Sequence, residues 1–368
     1  FLALILYKLN YINSNSLIAW VAIFFTPLLI NYFVLSPWMF GDQFEYAAEV
    51  MSLKARGSSI DTIVASSGGQ VNPITFSVKI LGLAPLPNYM TVTSLAFANK
   101  FLLFAIFLWF KRFFNNENEV LVYFLVPSLI LYSSMSLRDS LIIVIALLFI
   151  VNLIRGRYFF SALLLYPLFI LKLQMFVFLS LYFIARLFFR AHKNYRLFAS
   201  FVSLMLIGGF ILEDQILIAL NLYRIAFAAE NFVAFDGSTS YNAWAAYGGA
   251  EIASLELSSL AEAIFKAIIN LPIFLLIPLP WNWTNIFYPM QALESCLLIY
   301  LYVRLGMKEN LFKNNEFILL TFILIVGLSI YALLMSNVGT FVRYRFSIYY
   351  PFLLAAFYQG GIRILDIS

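Results

Sequence analysis

The chain has 368 residues, of which 63% are hydrophobic and only 11% are charged, and its formal net charge is +5. Ordinary soluble domains carry roughly a quarter charged residues, so this composition excludes that class. The one cysteine, Cys296, excludes an internal disulfide and a cysteine-based metal site, and the one histidine gives little support to histidine chemistry. No separate basic domain accompanies the small positive charge, so we expect no nucleic-acid partner.

Apolar runs recur along the chain, and many are roughly 16–22 residues long, which is the length of a membrane-spanning helix. We therefore predict an all-α, polytopic integral membrane protein with about 10–11 transmembrane helices, short ones included. Residues 1–368 are expected to form a single membrane domain. Because the chain begins at Phe1, inside an apolar run, we expect its natural start to lie upstream.

The first predicted span, Leu17–Trp38, leads into a long outer loop over residues 38–88. This loop carries Asp42 and Glu45 near its start, and its proline-broken, half-apolar stretch predicts an interfacial segment. A carboxylate here is a candidate general base for deprotonating a sugar hydroxyl, and the plainer interpretation is a solvated loop acid. Two residues three apart share one face if the stretch is helical.

Four short apolar helices follow the second predicted span, Tyr89–Phe110, and form two pairs. They are predicted over Val120–Ser134, Leu141–Leu153, Phe159–Leu171 and Met175–Phe189. At a rise of roughly 1.5 Å per residue they barely cross the hydrocarbon core, so we predict that their hairpin tips lie in a polar cavity.

The tips of the two pairs carry the polar residues Arg138, Asp139, Lys172 and Gln174. Arg138 is a candidate for binding an anionic leaving group, with Asp139 orienting it or acting as a base. The alternative is a local ion pair, or an Asp139 that caps the helix beginning there. Lys172 and Gln174 are candidates for binding phosphate or sugar hydroxyls, and the alternative is a tip that simply reaches water.

After a basic stretch at Arg186–Arg196 and a predicted span at Leu197–Leu212, residues 213–286 form a long acidic outer loop. Its apolar portion, Ala267–Leu279, is predicted to re-enter the membrane from outside because prolines interrupt it. Trp281 follows, and it either stacks on a sugar face or belongs to an interfacial aromatic belt. Basic loops alternate with these acidic ones, so the positive-inside rule places the acidic loops outside.

The last three predicted spans are Ile286–Val303, Glu316–Ser336 and Phe346–Ile364. Between the final two lies Asn337–Pro351, which carries Arg343, Tyr344 and Arg345. Paired guanidiniums suit phosphate or carboxylate, although the alternative is that they snorkel to lipid headgroups. On a helix the two arginines would diverge by about 200°, whereas the turn that Asn337 and Gly339 favour would let them share a face.

Four motifs occur in an order that resembles a known family: Gly41-Asp42 with Tyr46, Ser136–Ser140, Pro278–Trp281 and Gly339–Arg345. The chain is similar to the multi-pass bacterial surface-polysaccharide polymerases, the Wzy-like and EpsG-like group, which resemble the GT-C membrane glycosyltransferases. The EpsG-like pattern often has Gln after the mid-chain arginine and a His a little later. This chain has Asp139 and then Lys172 or Gln174 instead, which leaves the identity of the base open.

The resemblance implies a GT-C-like enzyme of the bacterial inner membrane, with its active site and outer loops on the periplasmic side. Such an enzyme transfers a growing glycan from undecaprenyl diphosphate to a hydroxyl of an incoming lipid-linked repeat unit, without a metal or other cofactor. The implied partners are the undecaprenyl diphosphate-linked oligosaccharide, membrane lipid, a chain-length regulator and a flippase.

Carried over to this chain, the resemblance gives the diphosphate to the arginines at positions 138, 343 and 345, with Tyr344, Lys172, Gln174 and Trp281 as further substrate-binding residues. The base is then Asp42, Glu45 or Asp139. Two alternatives stay open: a GT-C transferase that uses a polyprenyl-phosphate sugar donor, and a transporter of lipid-linked glycans. The sequence carries no nucleotide-binding fingerprint, which argues against an energy-coupled pump.

Overall fold

A computed structural model describes most of the chain. The residues it describes are 2–31, 42–55, 73–82, 92–114, 116–135, 137–192, 200, 203, 207–233, 257–280, 287–308, 310–334 and 338–367. The regular structure within these ranges is helical throughout, and they contain no strand. The predicted all-α fold class is therefore confirmed for the described residues.

The chain divides into two compact units, the first comprising residues 1–179 and 354–368 and the second residues 180–353. This division does not test the prediction of a single membrane domain. The helices that begin in the first unit are α1 (Leu2–Lys8), α2 (Ser14–Leu29), α3 (Asp42–Ala55), α4 (Pro73–Gly82), α5 (Val92–Phe110), α6 (Glu117–Phe124), α7 (Pro127–Ser133), α8 (Asp139–Ile154), α9 (Tyr158–Leu171) and α10 (Leu173–His192).

The second unit contains the end of α10 and the start of the last helix. The helices that begin in the second unit are α11 (Glu213–Val233), α12 (Leu260–Leu276), α13 (Phe287–Lys308), α14 (Asn315–Leu334) and α15 (Val338–Ile367). The last of these, α15, ends in the first unit.

Two of the described helices, Thr93–Phe113 and Asn315–Leu334, are long and apolar enough to cross a membrane. Four further helices are apolar but shorter: Ser14–Leu29, Asp139–Ile154, Tyr158–Leu171 and Leu173–Phe188. This pattern agrees with a membrane protein that contains short helices, as the sequence predicts. The number of 10–11 spans stays a prediction.

The two predicted outer loops contain more regular structure than expected. Helices α3 and α4 lie within residues 38–88, and α11 and α12 lie within residues 213–286. The re-entrant stretch predicted over Ala267–Leu279 is the second half of α12, which passes through Pro272 and ends at Leu276. A proline inside a helix removes one hydrogen bond, and here that loss does not break the helix.

The first unit is built around α8, which is apolar on all sides and is buried along almost its whole length. A helix with no polar face belongs in a core, and α9 packs along it as the second arm of a hairpin. The side chain of Ser161 on α9 is fully buried, and its small size permits this close approach. Because α8 is central, its N-terminal end at Arg138 and Asp139 is fixed relative to the core of the unit.

Aromatic rings make up a large part of the remaining core of the first unit. Trp20 of α2 lies 4.9 Å from Phe104 of α5, between ring centroids, and its ring is almost completely buried. Near the C-terminal end of the chain, Phe357 stacks on Phe114 at 3.9 Å and on Tyr123 at 4.0 Å. These contacts join α15 to the helices at the start of the chain, and aromatic pairs of this kind contribute about 0.5–1.5 kcal/mol beyond their buried area.

The predicted helix over residues 120–134 is divided in two. Helix α6 ends at Phe124, and α7 begins at Pro127, whose ring occupies the first position of that helix. Proline has no N–H to donate but fits the first turn well, so it starts a helix more easily than it continues one.

Candidate functional site

The strongest candidate site lies at the turn between α7 and α8, where the sequence places Arg138 and Asp139. Arg138 is the residue that precedes α8; its side chain is partly exposed and makes no capping hydrogen bond. Asp139 is the first residue of α8, is 3% exposed, and is engaged in an interaction of its own. A carboxylate in the first helical turn is favoured by the helix dipole. The structure thus confirms a helix–turn–helix tip that carries both residues.

Lys100 lies beneath this turn and was not predicted as a site residue. It is completely buried within α5, and its Nζ donates hydrogen bonds to the backbone oxygen of Ile130 at 2.8 Å and to Ser133 Oγ at 2.7 Å. Ser133 Oγ in turn donates to the backbone oxygen of Leu129. The amino group of Lys100 therefore lies at the C-terminal end of α7 and adds a hydrogen bond to the carbonyl groups there.

Three further side chains bind the same turn. Asn99, also completely buried, donates from Nδ2 to the backbone oxygens of Met135 and Leu137, each at 2.9 Å. Asn31 Nδ2 of the first unit donates to the backbone oxygen of Ser134 at 2.8 Å, and Thr26 Oγ1 lies 2.7 Å from Ser134 Oγ. The carbonyl groups of Ser134, Met135 and Leu137 thus have side-chain donors, as buried backbone requires.

One signal in the sequence could have identified this support. Asn99 and Lys100 are adjacent polar residues inside the predicted span Tyr89–Phe110. A charged residue within a membrane span is costly and marks a site by default. The same reasoning applies to Glu294, which is 6% exposed within α13 and is an electrostatic neighbour of Tyr350.

The second hairpin tip, between α9 and α10, lies where the sequence predicts it. Lys172 is the single residue between the two helices, and its backbone N–H donates to the oxygen of Leu168 at 2.8 Å. Its side chain is only 7% exposed and has an interaction, so this tip does not simply reach water. Gln174 follows in the first turn of α10 and is partly exposed.

The predicted acids of the first outer loop lie on α3. Helix α3 begins at Asp42 and includes Glu45 one turn later, so the three-residue spacing places both positions on one helical face. The side chain of Glu45 is exposed, and that of Asp42 lies outside the described residues. Glu49, one turn further along, accepts a hydrogen bond of 2.8 Å from Thr75 and thereby joins α3 to α4.

The turn predicted around Asn337–Thr340 is wrong for its described part, because α15 is helical from Val338 onward. Asn337 itself lies outside the described residues. Arg343 and Arg345 are therefore about 200° apart around the helix and do not share a face. Arg343 is partly exposed and has an interaction, whereas Arg345 is 5% exposed.

Arg345 binds the C-terminal end of α12. Its Nη1 donates to the backbone oxygens of Phe274 at 3.0 Å, Leu275 at 2.9 Å and Ile277 at 2.8 Å. The carbonyl of Phe274 would ordinarily accept from the residue four positions later, but that residue is Pro278, which has no N–H. Arg345 supplies the donor that the proline lacks. This contact accounts for the burial of its guanidinium.

The remaining predicted residues separate by unit. Tyr344 of α15 packs against Tyr331 of α14, with 5.4 Å between ring centroids, and Trp281 lies outside the described residues. The six predicted residues of the first unit are Asp42, Glu45, Arg138, Asp139, Lys172 and Gln174; the second unit carries those at positions 343–345.

Within the described part of the chain, no group of three or more His, Cys, Asp or Glu side chains is placed to hold a metal ion.

Comparison of the chain with protein-family models, with curated proteins and with solved structures gives no match. The functional assignment below therefore depends on the residues of the candidate site and on the resemblance in motif order.

Proposed function

We propose that the chain is an integral-membrane glycosyltransferase that polymerises lipid-linked glycan repeat units. In this proposal the donor is a glycan carried on undecaprenyl diphosphate, and the acceptor is a hydroxyl of an incoming lipid-linked unit at the periplasmic face of the inner membrane. The observation that carries the proposal is Arg138: a partly exposed guanidinium on a turn that buried side chains hold at the N-terminus of the central helix.

The chemistry suits an arginine at a helix N-terminus. As the bond between the anomeric carbon and the diphosphate oxygen breaks, the electron pair stays on the departing diphosphate, whose negative charge grows. A fixed guanidinium and the positive end of a helix dipole stabilise that charge more in the transition state than in the ground state. One such contact contributes about 3 kcal/mol, or a factor of about 10² to 10³ in rate.

The acceptor side of the reaction needs a carboxylate. The acceptor oxygen forms a new bond to the anomeric carbon, and its proton passes to a base within hydrogen-bond reach. Asp139 is the nearest candidate in sequence to Arg138, and Asp42 and Glu45 on α3 are the others. Lys172 and Gln174, at the second hairpin tip of the same unit, are proposed to bind phosphate or sugar hydroxyls.

In the second unit, Arg343 rather than Arg345 is proposed to bind substrate. Nη1 of Arg345 is engaged by three carbonyl groups of the second unit, so we assign Arg345 to the support of α12. Arg343 is partly exposed and is proposed to bind an anionic group of the substrate, with Tyr344 beside it.

The test is polymerisation by the purified protein of an oligosaccharide linked to undecaprenyl diphosphate. A ladder of longer products is expected, and Arg138→Ala should reduce its rate by about 10²- to 10³-fold. Arg157→Ala is the matched control, because Arg157 is an exposed arginine just past the opposite end of the same helix. Its ladder should match that of the unaltered chain.

Other outcomes would redirect the assignment. Transfer of a single sugar from a polyprenyl monophosphate donor would indicate a GT-C transferase. Movement of labelled lipid-linked glycan across a vesicle membrane without bond formation would indicate a transporter. Full activity in the Arg138→Ala variant, with folding intact, would remove Arg138 from the site.

A further inference from the structure

The buried pair Asn99–Lys100 is the most unusual feature of the first unit. Both residues are 0% exposed in the middle of a helix long and apolar enough to span a membrane. Among the described residues no carboxylate forms an ion pair with Lys100. Burial of a lysine nitrogen is costly unless hydrogen-bond partners replace the water that it loses. Such a residue is retained in a membrane helix chiefly where function requires it.

The contacts of the pair converge on one short piece of backbone. Lys100 binds Ile130 in the last turn of α7, and Asn99 binds Met135 and Leu137, directly before Arg138. Two consecutive residues of α5 therefore hold the end of α7 and the turn that follows it. Buried polar contacts of this kind have defined directions, so they fix the backbone in one arrangement.

The stability of the fold does not by itself account for Lys100. The backbone oxygen of Ile130, which Lys100 binds, also accepts from Ser134 N at 3.2 Å and from Ser134 Oγ at 2.5 Å. This carbonyl oxygen would keep hydrogen-bond partners if the amino group of Lys100 were removed. Replacement of a buried charge by an apolar side chain of similar volume is often neutral for stability or favourable.

A nucleophilic Ser–Lys pair is a second way to explain a serine next to a buried lysine. Two observations oppose it. Ser133 Oγ donates to the backbone oxygen of Leu129, so its proton points away from the lysine nitrogen. Both side chains are also completely buried. The lysine donates to the serine here, which is the reverse of what activation of a nucleophile requires.

We infer that Asn99 and Lys100 are positioning residues that hold the turn before Arg138 and thereby place its guanidinium for binding the substrate diphosphate. The part that concerns the diphosphate rests on the proposed function. The part that concerns the turn does not. A displacement of about 1 Å in a positioned group can lower a rate about 10²-fold, so loss of these contacts is expected to lower activity strongly.

The first experiment measures the turn without any assay of activity. In a chain with Cys296→Ser and Arg138→Cys, a nitroxide spin label at position 138 reports local motion by electron paramagnetic resonance. Lys100→Met should make the label clearly more mobile. Lys111→Met is the matched control: it removes a lysine directly after the end of α5, where the lysine pairs with Glu117 at 3.3 Å. It should leave the label unchanged.

Asn99→Leu provides a second variant if Lys100→Met does not fold, because it removes the bonds to Met135 and Leu137 without changing charge. Folding is checked by elution in size-exclusion chromatography. An unchanged label in the folded variants would overturn the inference.

The second experiment is a double-mutant cycle in the polymerisation assay. If Lys100 acts through Arg138, then Lys100→Met together with Arg138→Ala should be no slower than Arg138→Ala alone. If the fold-losses in rate of the two single variants multiply in the double variant, Lys100 acts independently of Arg138, and the inference is overturned. If the unaltered chain makes no ladder, the proposed function fails, and the spin-label result still decides whether Asn99 and Lys100 hold the turn.

Discussion

The type of a residue does not by itself establish its role in this protein, and Arg345 is the clearest example. An arginine in an apolar stretch of chain suggests anion binding, yet this one donates to three backbone carbonyl groups. The donor is needed because α12 ends just before Pro278. The two arginines therefore differ: Arg343 is partly exposed, whereas Arg345 is buried and supports the end of α12.

Replacement of Arg345 by Met is expected to destabilise the protein. Three carbonyl oxygens, two of them in buried contacts, would lose a charged donor. Unsatisfied buried groups cost about 1–3 kcal/mol each, so we expect a loss of about 3 kcal/mol after partial relaxation. The measurement is thermal unfolding of the detergent-solubilised protein. Arg343→Met is the control, since it removes an arginine two positions away on the same helix, and it should lower the melting temperature much less. Equal effects would contradict the supporting role of Arg345.

Glu262 offers a prediction about pH. A hydrogen bond from Lys266, followed by hydrogen bonds from Ser258, lowers the pKa of this carboxyl to about 2, from an ordinary 4.5. A lowered pKa in the folded state means that ionised Glu262 contributes stability at and above about pH 4.5. That contribution is lost as the pH falls towards 2. The start of α12 should therefore weaken in acid.

Glu262→Gln tests this, because the amide keeps the size of the side chain and does not titrate in this range. We expect the melting temperature of the unaltered chain to fall more steeply between pH 4.5 and pH 2 than that of the variant. Parallel curves for the two proteins would show that the carboxylate contributes nothing that depends on its charge.

At the scale of elements, the boundaries of the central hairpin could be predicted to within two residues. The predicted helices Leu141–Leu153 and Phe159–Leu171 correspond to α8 and α9, because long apolar runs between charged residues leave little choice of boundary. The start of α15 could not be predicted in this way. Asn337 and Gly339 favour a turn locally, but helical packing overrides a weak local preference.

The role of Asn99 and Lys100 beneath the candidate site also could not be predicted from the sequence, and the reason is different. Arg138 and Asp139 stand out in the sequence because they interrupt apolar runs. Asn99 and Lys100 also interrupt one, but their function depends on contacts with residues some thirty positions later, such as Ser133 at 2.7 Å. A sequence pattern identifies the polar residue in a span, whereas only the packing of α5 against α7 shows what it binds.

A glycine near the end of α15 tests the packing of that helix. A Cβ added at Gly361 would lie 2.6 Å from the ring of Phe114 and 2.9 Å from the backbone oxygen of Phe113. Alanine usually stabilises a helix by about 1 kcal/mol relative to glycine, but this contact with backbone cannot relax easily. We expect Gly361→Ala to destabilise the protein by about 1–3 kcal/mol in thermal unfolding.

Gly208 provides the matched comparison, because a Cβ added there meets nothing within 4 Å. Gly208→Ala should leave stability unchanged or raise it slightly. If the two alanine variants melt at the same temperature, the close approach of Phe113 and Phe114 to α15 is not a constraint on the fold.

At the scale of the whole molecule, the distribution of charge is the main guide to orientation. Basic residues cluster at Lys111 and Arg112, at Arg155 and Arg157, and after α13, whereas acidic residues dominate the stretches around α3 and α11. From the positive-inside rule we predict that the basic ends lie in the cytoplasm and the acidic stretches on the opposite side. This arrangement would expose α3 to the same side as the proposed acceptor.

The single cysteine makes the orientation directly measurable. In a Cys296→Ser background, new cysteines at exposed positions report the side of the membrane through a maleimide that cannot cross it. We expect Glu45→Cys and Asp214→Cys, both at exposed positions, to be labelled in intact cells. Lys313→Cys, on the basic stretch after α13, should react only once the membrane is permeabilised. The physical reason is that positive loops are retained in the cytoplasm during insertion. Labelling of Lys313→Cys in intact cells, or protection of Glu45→Cys, would reverse the orientation and place the acids of α3 on the cytoplasmic side, away from a periplasmic substrate.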